Sequence, residues 1–382
     1  MRPLNTLTAD DFKLYIEYAL AKNFTEATIG VLVEYLKTEE DIDITTVLKK
    51  VGLKYDLGDA AHMKAMLEAV KVISIEYIKT GGREARAAIT SYTKSLGSLY
   101  GYSRAELIEA YGEYCNYCDM RIADSALAIE HLVPKSTFPD EMINYTNFYL
   151  ACPSCNSHKL DEPKTNTIID MINLDPHIDP KLSTGNMDDN GYELMKNVIR
   201  NDYMWPQMSN AGSYSKLYYS PQYNQDGYSN MDNFLKGDYI YMLGRVLGSG
   251  GKEVALILQS NDTTAQRTIK DIVKLNNYIP DSLENLKLSD RRLFNRTKTA
   301  LAISNGIQNF INLMGEVNTQ TQGNIIQLFI EQWAEEAQFS GFFSLYVFII
   351  TNAVIDEKYK KCLFNALLGK YSNTQIFNPV NA

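Results

Sequence analysis

Three pieces of one stretch decide how this chain is organised: YCNYC at residues 114–118, AIEHLVPKSTFPD at residues 128–140 and NYTNFYLACPSCNSHK at residues 144–159. Two Cys-x-x-Cys pairs enclose a Glu-His pair, and an asparagine follows the last cysteine directly. The pairs are Cys115 with Cys118 and Cys152 with Cys155, the enclosed residues are Glu130 and His131, and the asparagine is Asn156. Close cysteine pairs of this kind are typical of metal sites.

The four paired cysteines predict a structural zinc site. Zn²⁺ prefers a tetrahedron of thiolates, and two Cys-x-x-Cys pairs can supply all four. Four thiolates close the coordination shell, so the ion would hold the fold together and would not activate water. The long gap between the pairs leaves room for a hairpin. The remaining cysteine, Cys362, is expected to be a small buried side chain.

The Glu-His pair lies near the end of a predicted strand. Residues 126–133, ALAIEHLV, are apolar and partly β-branched, which favours a strand. Adjacent side chains on a strand point to opposite faces, so Glu130 and His131 can serve one site only if the strand ends or bends there. Pro134 favours such an end. A carboxylate that binds Mg²⁺ and an imidazole with a pKa near neutrality could together hydrolyse a bond.

These residues resemble the HNH, or ββα-metal, endonucleases. The likeness is closer still to a bacterial subgroup with a core of E-H-x-x-P-K-S and, after a gap, N-L-x-x-A-C-x-x-C-N-x-x-K. This chain has EHLVPKS at residues 130–136 and NFYLACPSCNSHK at residues 147–159. The subgroup looks like the nuclease partners of ATPases in anti-phage systems, such as the Septu nuclease subunit and retron-associated HNH proteins. A looser likeness extends over residues 105–296.

The resemblance implies a role for each position of the core. His131 would be the general base that activates water, and Asn147 would pin the loop that aims it. Glu130 and Asn156 would hold a catalytic Mg²⁺ or Mn²⁺, and the four paired cysteines would hold structural zinc. Many HNH proteins carry Asp where Glu130 stands, and Glu also binds Mg²⁺. The residues implied on the nucleic-acid side are Lys135, Ser136, His158 and Lys159, with a structural role left open for His158.

Composition limits the function classes. The chain has 382 residues, of which 45% are hydrophobic and 22% charged, which is ordinary for a soluble globular protein of two or three domains. Its formal net charge of -9 argues against non-specific coating of nucleic acid, since phosphate neutralisation needs an excess of Lys and Arg. It is compatible with a local basic groove or a protein partner. The polar residues after Met1 predict a cytoplasmic location, and no Walker A loop is visible.

The fold class expected is mainly α with a small central zinc-stapled ββα-metal module, α+β overall. Four regions are predicted: a helical N-terminal interaction or support domain (1–82), the HNH nuclease module (83–172), a loop-rich insertion (173–262) and a helical C-terminal domain (263–382). Helical patterns lie at residues 8–20, 26–36 and 60–78, and Gly81-Gly82 breaks the last one. Residues 183–232 are rich in Asn, Asp, Gly, Ser and Tyr and are expected to be loop-like.

Two C-terminal segments allow two interpretations each. The basic residues between 267 and 298 predict either a solvated helix face or a face that contacts phosphate. Residues 337–355 carry no charge and are nearly long enough to span a membrane. Several polar residues dilute this segment, so a buried core helix is preferred and no membrane partner is expected. Residues 322–371 predict a terminal pair of helices.

The favoured hypothesis is a Mg²⁺- or Mn²⁺-dependent HNH endonuclease acting on DNA in anti-phage defence, with an ATPase subunit as its partner on the helical flanks. The alternative is a zinc-stapled module that binds nucleic acid or protein without turnover, which the acidic pI and the flanks motivate. Cleavage of both DNA strands by one site per chain would favour a homo-oligomer. The sequence leaves open the oligomeric state, the cleavage specificity and the choice between DNA and RNA.

Overall fold

A computed structural model of the chain describes residues 60–96, 100–206, 217–223, 227–228, 239–242, 245–248, 254–276, 291–316, 319–353 and 355–371. The helices are α1 (Ala60–Thr80), α2 (Arg83–Leu96), α3 (Arg104–Tyr111), α4 (Pro153–Lys159), α5 (Thr165–Asn173), α6 (Asp189–Asn201), α7 (Thr263–Arg267), α8 (Arg291–Glu316), α9 (Thr319–Ser340), α10 (Phe343–Asn352) and α11 (Glu357–Lys370). The strands are β1 (Ala128–His131), β2 (Phe148–Ala151), β3 (Leu217–Tyr223), β4 (Gly227–Tyr228), β5 (Tyr239–Met242), β6 (Arg245–Gly248) and β7 (Val254–Ser260). The predicted fold class, mainly helical with small sheets and α+β overall, is confirmed.

Strands β1 and β2 form an antiparallel hairpin that leads directly into α4. His131 pairs with Phe148 at the loop end of the hairpin. Pro153 begins α4, where its missing N–H costs nothing, and Cys152 caps the helix by accepting a hydrogen bond from the Cys155 N–H. The order β1–β2–α4 is the expected ββα arrangement. The predicted strand is confirmed with narrower bounds.

Helices α1 and α2 are separated by two glycines. Helix α1 ends at Thr80, and Gly81 has a φ of 64°, a conformation that glycine adopts without steric cost. The helix and the break predicted from the sequence are therefore confirmed. The helical patterns at residues 8–20 and 26–36 lie outside the described residues, and the four domain boundaries stay predictions.

Helix α6 lies within the stretch that the sequence predicts to be loop-like. Asp188 caps it by accepting a hydrogen bond from the Gly191 N–H at 2.8 Å. Tyr192, Met195 and Ile199 follow at helical spacing and are buried. The polar residues of this stretch serve as a cap and as an exposed face, and the narrow apolar stripe between them is enough to bury one side of a helix.

The apolar segments after α6 form strands. Strands β3 and β7 pair antiparallel along their length, β4 lies on the other edge of β3, and β5 pairs with β6. Ala255 and Ile257 of β7 pack against Leu293 of α8. An apolar run as short as residues 254–260 is compatible with a helix or a strand, and its pairing with β3 makes it a strand.

Helices α9, α10 and α11 occupy the region where the sequence predicts a pair of helices. The uncharged segment 337–355 is divided, because α9 ends at Ser340 and α10 begins at Phe343. Half of the ten residues of α10 are buried, which confirms the preferred core interpretation. No helix among the described residues is both long enough and apolar enough to cross a membrane.

The basic stretch between residues 267 and 298 serves the interior as well as the surface. Arg292 and Arg296 of α8 are buried. Arg296 donates hydrogen bonds to the Leu275 carbonyl oxygen at 3.0 Å and to Asn276 Oδ1 at 2.9 Å. Neither a solvated face nor a phosphate-contacting face describes these two arginines, since they satisfy acceptors inside the protein.

Candidate active site and metal centre

The end of β1 brings Glu130 and His131 to one cavity. The strand stops at His131, and both side chains line a cavity of about 780 Å³ together with Asn156 of α4. The sequence predicted this convergence only on condition that the strand ends there, and it does. Lys135 and Ser136, from the loop that follows the strand, line the same cavity.

The imidazole of His131 is held in one tautomer. Its Nε2 lies 2.9 Å from the Met142 carbonyl oxygen. A carbonyl oxygen only accepts hydrogen bonds, so Nε2 must carry the proton, and in the neutral ring Nδ1 keeps a free lone pair. The rings of Tyr100 and Phe148 meet the imidazole edge to face, with centroid distances of 4.8 and 5.3 Å. These contacts leave the ring little freedom to turn.

Burial, together with the positive charges of Lys135 and Lys159, lowers the pKa of His131 to about 3, although the hydrogen bond to the Met142 carbonyl acts in the opposite direction. The side chain is 3% exposed, so the charged form would lose most of its hydration. The sequence suggested a pKa near neutrality. The lower value means that the ring is neutral throughout the physiological pH range, with Nδ1 unprotonated.

Asn147 pins the loop 132–147, which connects β1 to β2. Its Oδ1 accepts from the Val133 N–H at 2.7 Å, and its Nδ2 donates to the carbonyl oxygens of Val133 and Glu141, both at 3.1 Å. The side chain is buried, so these bonds are not in competition with water. Glu141 directly precedes Met142, whose carbonyl orients His131. Asn147 therefore holds together two parts of the loop that lie close to His131, at Val133 and at Glu141.

Glu130 and Asn156 offer oxygen donors to the cavity. Glu130 Oε1 lies 3.0 Å from Lys159 Nζ, which leaves Oε2 without that ion pair. Carboxylate and amide oxygens are the donors that Mg²⁺ and Mn²⁺ prefer, so this set fits the divalent ion that the resemblance implies. Lys159 partly neutralises the carboxylate but does not occupy all of its acceptor positions.

Two residues expected on the nucleic-acid side lie elsewhere. Lys159 is completely buried, and its ammonium contacts Glu130. His158 is half-buried on α4 and does not line the cavity. Lys135 is half-buried and donates a hydrogen bond to the Tyr100 hydroxyl at 2.6 Å, while Ser136 is exposed. Lys135 and Ser136 are thus the two of the four that face the cavity.

Sequence reasoning missed several groups around His131. Tyr100 and Arg104 line the cavity from a segment upstream of the first cysteine pair. Arg104 also pairs with Asp124, with 2.7 Å between the charged atoms. The Met142 carbonyl is a backbone group. No spacing in the sequence signals any of these, because their position depends on how the segments pack.

The four paired cysteines form one buried cluster. Their sulfur atoms all lie within 4.8 Å of one another. A tetrahedron with metal–sulfur distances of about 2.3 Å has sulfur–sulfur edges of about 3.8 Å, and Cys118 and Cys152 are separated by 3.8 Å. That is too long for a disulfide, and all four thiols are free. The donor set fits zinc. Cys362 is exposed on α11, so the expectation that it is buried is wrong.

The pKa values of the clustered cysteines are shifted in opposite directions: hydrogen bonds with the other cysteines raise the pKa of Cys118, and burial raises the pKa of Cys155. Hydrogen bonds from the side chains of Cys115, Cys118 and Cys155 hold the pKa of Cys152 far below its usual value. Arg292 of α8 donates a hydrogen bond to Cys155 Sγ at 3.2 Å. A buried cation next to a cluster of thiolates offsets part of their charge.

The comparisons with known proteins concern this same stretch. Residues 115–162 match the family model described as HNH endonuclease. Within this segment the chain is similar to the HNH endonucleases. The resemblance to the HNH endonucleases that the sequence indicated is therefore confirmed for residues 115–162.

A curated relative resembles the chain over a limited length. Septu protein PtuB from Bacillus thuringiensis is 32% identical over 66 residues, which is 16% of this chain and 26% of that protein. The chain thus matches about a quarter of the length of this relative. No solved structure is significantly similar to the chain. The HNH segment contains the four cysteines, Glu130, His131, Asn147 and Asn156, whereas Tyr100 and α6 lie outside it.

Proposed function

We propose that this protein is a metal-dependent HNH endonuclease that hydrolyses phosphodiester bonds in DNA. The observation that supports it most directly is the state of His131. The ring is neutral, its Nε2 is bound to the Met142 carbonyl, and it lines the same cavity as Glu130 and Asn156. A pure binding module has no need for a base fixed in this way.

In the proposed reaction, His131 Nδ1 takes a proton from a water molecule whose oxygen attacks phosphorus. The bond from phosphorus to the 3′-oxygen breaks, and that oxygen takes up a proton, which leaves a 3′-hydroxyl and a 5′-phosphate. Mg²⁺ or Mn²⁺ held by Glu130 and Asn156 would stabilise the charge on the phosphate and on the leaving oxygen. Lys135 and Ser136 line the cavity where they can contact the substrate backbone.

We also propose that the protein acts in bacterial anti-phage defence, in the cytoplasm, with a partner subunit. The partial likeness to a Septu protein supports the defence role, and the subgroup resemblance implies that the partner is an ATPase. Four free thiols arranged for a metal fit a reducing compartment. A homo-oligomer would allow the cutting of both strands.

The test is a nuclease assay on supercoiled plasmid and on single-stranded DNA, with MgCl₂, MnCl₂ or EDTA. We expect His131→Ala to lower kcat by about 10²- to 10⁴-fold, because the general base is lost. His177→Ala is the matched control, since His177 is exposed and lies outside the cavity. Zinc content and circular dichroism show whether each variant is folded.

Two results would count against the proposal. Cleavage by His131→Ala at the wild-type rate would remove the assigned base. DNA binding by the wild-type protein without cleavage, with either divalent ion, would favour the alternative of a zinc-stapled binding module.

A further inference from the structure

Helix α6 lies outside the HNH segment and yet binds the loop that orients His131. We propose that Lys196 and Arg200 of α6 are positioning residues for the catalytic base, acting through the loop residues Asp140 and Glu141. This inference rests on the proposed nuclease function. It extends the active site to a helix that the family match does not include.

The first contact is between α6 and Asp140. Lys196 Nζ lies 2.8 Å from Asp140 Oδ2, and the Tyr192 hydroxyl donates to Asp140 Oδ1 at 2.6 Å. Both carboxylate oxygens of Asp140 are thus held by one helix. The side chains of Lys196 and Asp140 are only 9% and 11% exposed, so water offers little competition.

The second contact is between α6 and Glu141. Arg200 NH2 donates to Glu141 Oε2 at 2.6 Å, and Lys196 Nζ lies 3.3 Å from Glu141 Oε1. Asn144, within the same loop, donates to Glu141 Oε2 at 2.8 Å. Two cations of the helix therefore face two anions of the loop, and Glu193 of the same helix also lies 3.0 Å from Lys196 Nζ.

The loop passes this constraint to His131 through the backbone. Glu141 is bonded to Met142, and the Met142 carbonyl oxygen accepts from His131 Nε2 at 2.9 Å. The Glu141 carbonyl oxygen is held by Asn147 Nδ2 at 3.1 Å. Asn147 thus fixes the peptide from inside the HNH segment, while α6 fixes the side chain of Glu141 from outside it. If the ion pairs between α6 and the loop are broken, the Met142 carbonyl can rotate away from His131. The hydrogen bond that fixes the tautomer of His131 is then lost.

Buried ion pairs of this kind add little net stability, because desolvation offsets their attraction. They do fix geometry, since the paired groups have few other arrangements that satisfy both charges. The cluster joins a distant helix to the one loop whose carbonyl orients the base. A role in positioning the base explains this placement, and a role in stability alone does not require it.

The chain offers a matched control for α6. Lys71 of α1 pairs with Asp189 at 3.4 Å and with Glu193 at 3.0 Å, both on α6. Lys71→Met therefore removes ion pairs from the same helix and none that Asp140 or Glu141 makes, while Glu193 keeps its own contact with Lys196 at 3.0 Å. Arg200→Lys keeps a cation for Glu141, whereas Arg200→Met removes it.

The kinetic experiment measures plasmid cleavage with MgCl₂ for wild type, Arg200→Met, Lys196→Met, Arg200→Lys and Lys71→Met. We expect Arg200→Met and Lys196→Met to lower kcat by about 10- to 100-fold with little change in KM, because a misplaced base slows the chemical step but leaves binding intact. Arg200→Lys should recover most of kcat, and Lys71→Met should stay within about 2-fold of wild type. In a double-mutant cycle, Glu141→Gln and Arg200→Met should be less than additive, because both remove the ion pair between Arg200 and Glu141.

A second readout does not depend on activity. The chain has four histidines, so selective ¹⁵N labelling with His131→Ala as a reference assigns the His131 ring. We expect a single tautomer with the proton on Nε2 in wild type and in Lys71→Met, and a mixture in Arg200→Met.

The outcomes separate the two proposals. An inactive wild type with a single His131 tautomer would overturn the proposed function and leave the orienting contact standing. An active wild type, with unchanged kcat and an unchanged tautomer in folded Arg200→Met and Lys196→Met, would overturn the role of α6 alone. An equal loss of kcat in Lys71→Met would also overturn it, since the effect would then follow the stability of the helix.

Discussion

At the scale of the residue, Lys159 shows how a buried charge can change its expected role. The sequence places it three residues past Asn156, where the resemblance implies a phosphate contact. The structure places its ammonium 3.0 Å from Glu130 Oε1 with no exposure to solvent. A cation in that position holds a carboxylate in place. Removing it leaves a largely buried anion without compensation.

We expect Lys159→Met to lower the free energy of unfolding by about 3 kcal/mol. This is the lower end of the range for breaking a buried ion pair, because the Glu130 carboxylate still reaches the cavity and its water. The control is Lys164→Met. Lys164 pairs with Asp161, but the two side chains are 52% and 47% exposed, so we expect a loss of less than about 1 kcal/mol. Urea unfolding measures both.

The double variant Glu130→Gln with Lys159→Met should recover part of the lost stability, because no charge is then left unpaired. The salt dependence of DNA binding gives a separate check. A phosphate contact by Lys159 would reduce the slope by about 1, and we expect no change. A reduced slope together with wild-type stability would support the phosphate role instead.

At the scale of the element, the cluster of four cysteines is where the C-terminal helices meet the hairpin of β1 and β2. The Phe342 N–H donates to the Asp119 carbonyl oxygen at 2.6 Å, and the Ser344 N–H donates to Asp119 Oδ2 at 2.9 Å. Gly341 has a φ of 77°, and a side chain there would lie 2.5 Å from the Asp119 carbonyl oxygen. Only glycine allows this close approach to the first cysteine pair.

Helix α8 reaches the second cysteine pair through Arg292. Its NH1 donates to Cys155 Sγ at 3.2 Å and to the Val273 carbonyl oxygen at 2.7 Å, and its NH2 donates to the Lys274 carbonyl oxygen at 3.0 Å. The guanidinium therefore joins three parts of the chain at one buried point. The adjacent Arg291 is exposed and provides a matched control.

We expect Arg292→Met to lower the free energy of unfolding by about 3 kcal/mol or more, because buried carbonyl oxygens lose their donor. Bound zinc should also dissociate faster, because the Cys155 thiolate loses the hydrogen bond from Arg292 that stabilises its negative charge. A chromogenic zinc chelator measures the release rate, and Arg291→Met should behave like wild type. Equal release rates for the two variants would show that α8 does not stabilise the cluster.

At the scale of the whole molecule, the net charge and the length of chain outside the HNH match bear on the proposed partner subunit. The net charge is -9, although the proposed substrate is itself an anion. The HNH match covers residues 115–162, and the described helices α1, α2 and α8 to α11 lie outside it. An acidic body around a nuclease module limits stray binding to nucleic acid and leaves surface for another protein.

We expect the tagged chain, co-expressed with the products of its neighbouring genes, to co-purify with an ATPase subunit. Partner binding should raise nuclease activity, because the partner supplies contacts to DNA that an acidic chain lacks. Size-exclusion chromatography with plasmid cleavage across the fractions checks both statements. A monodisperse chain that is fully active alone and recovers no ATPase would contradict the partner proposal.

The sequence alone determined the local chemistry of this protein. Cysteine spacing, the Glu-His pair and Asn156 predicted a ββα module with four cysteines arranged for a metal, because ligand spacing and strand-to-helix order are set by neighbouring residues. The same local signals predicted α1, the break at Gly81 and the core position of α10. The family match over residues 115–162 agrees with this local reading.

Only the tertiary structure decided what surrounds that module. Four contacts join residues that lie far apart in the chain or involve backbone groups without a sequence signature. They are the Met142 carbonyl at His131, the pairing of Lys159 with Glu130, the contact of Arg292 with Cys155, and the ion pairs of α6 with Asp140 and Glu141. Burial also lowered the pKa of His131 far below the value expected from the residue type. Each of these depends on which surfaces pack together and exclude water, and that is a property of the folded chain as a whole.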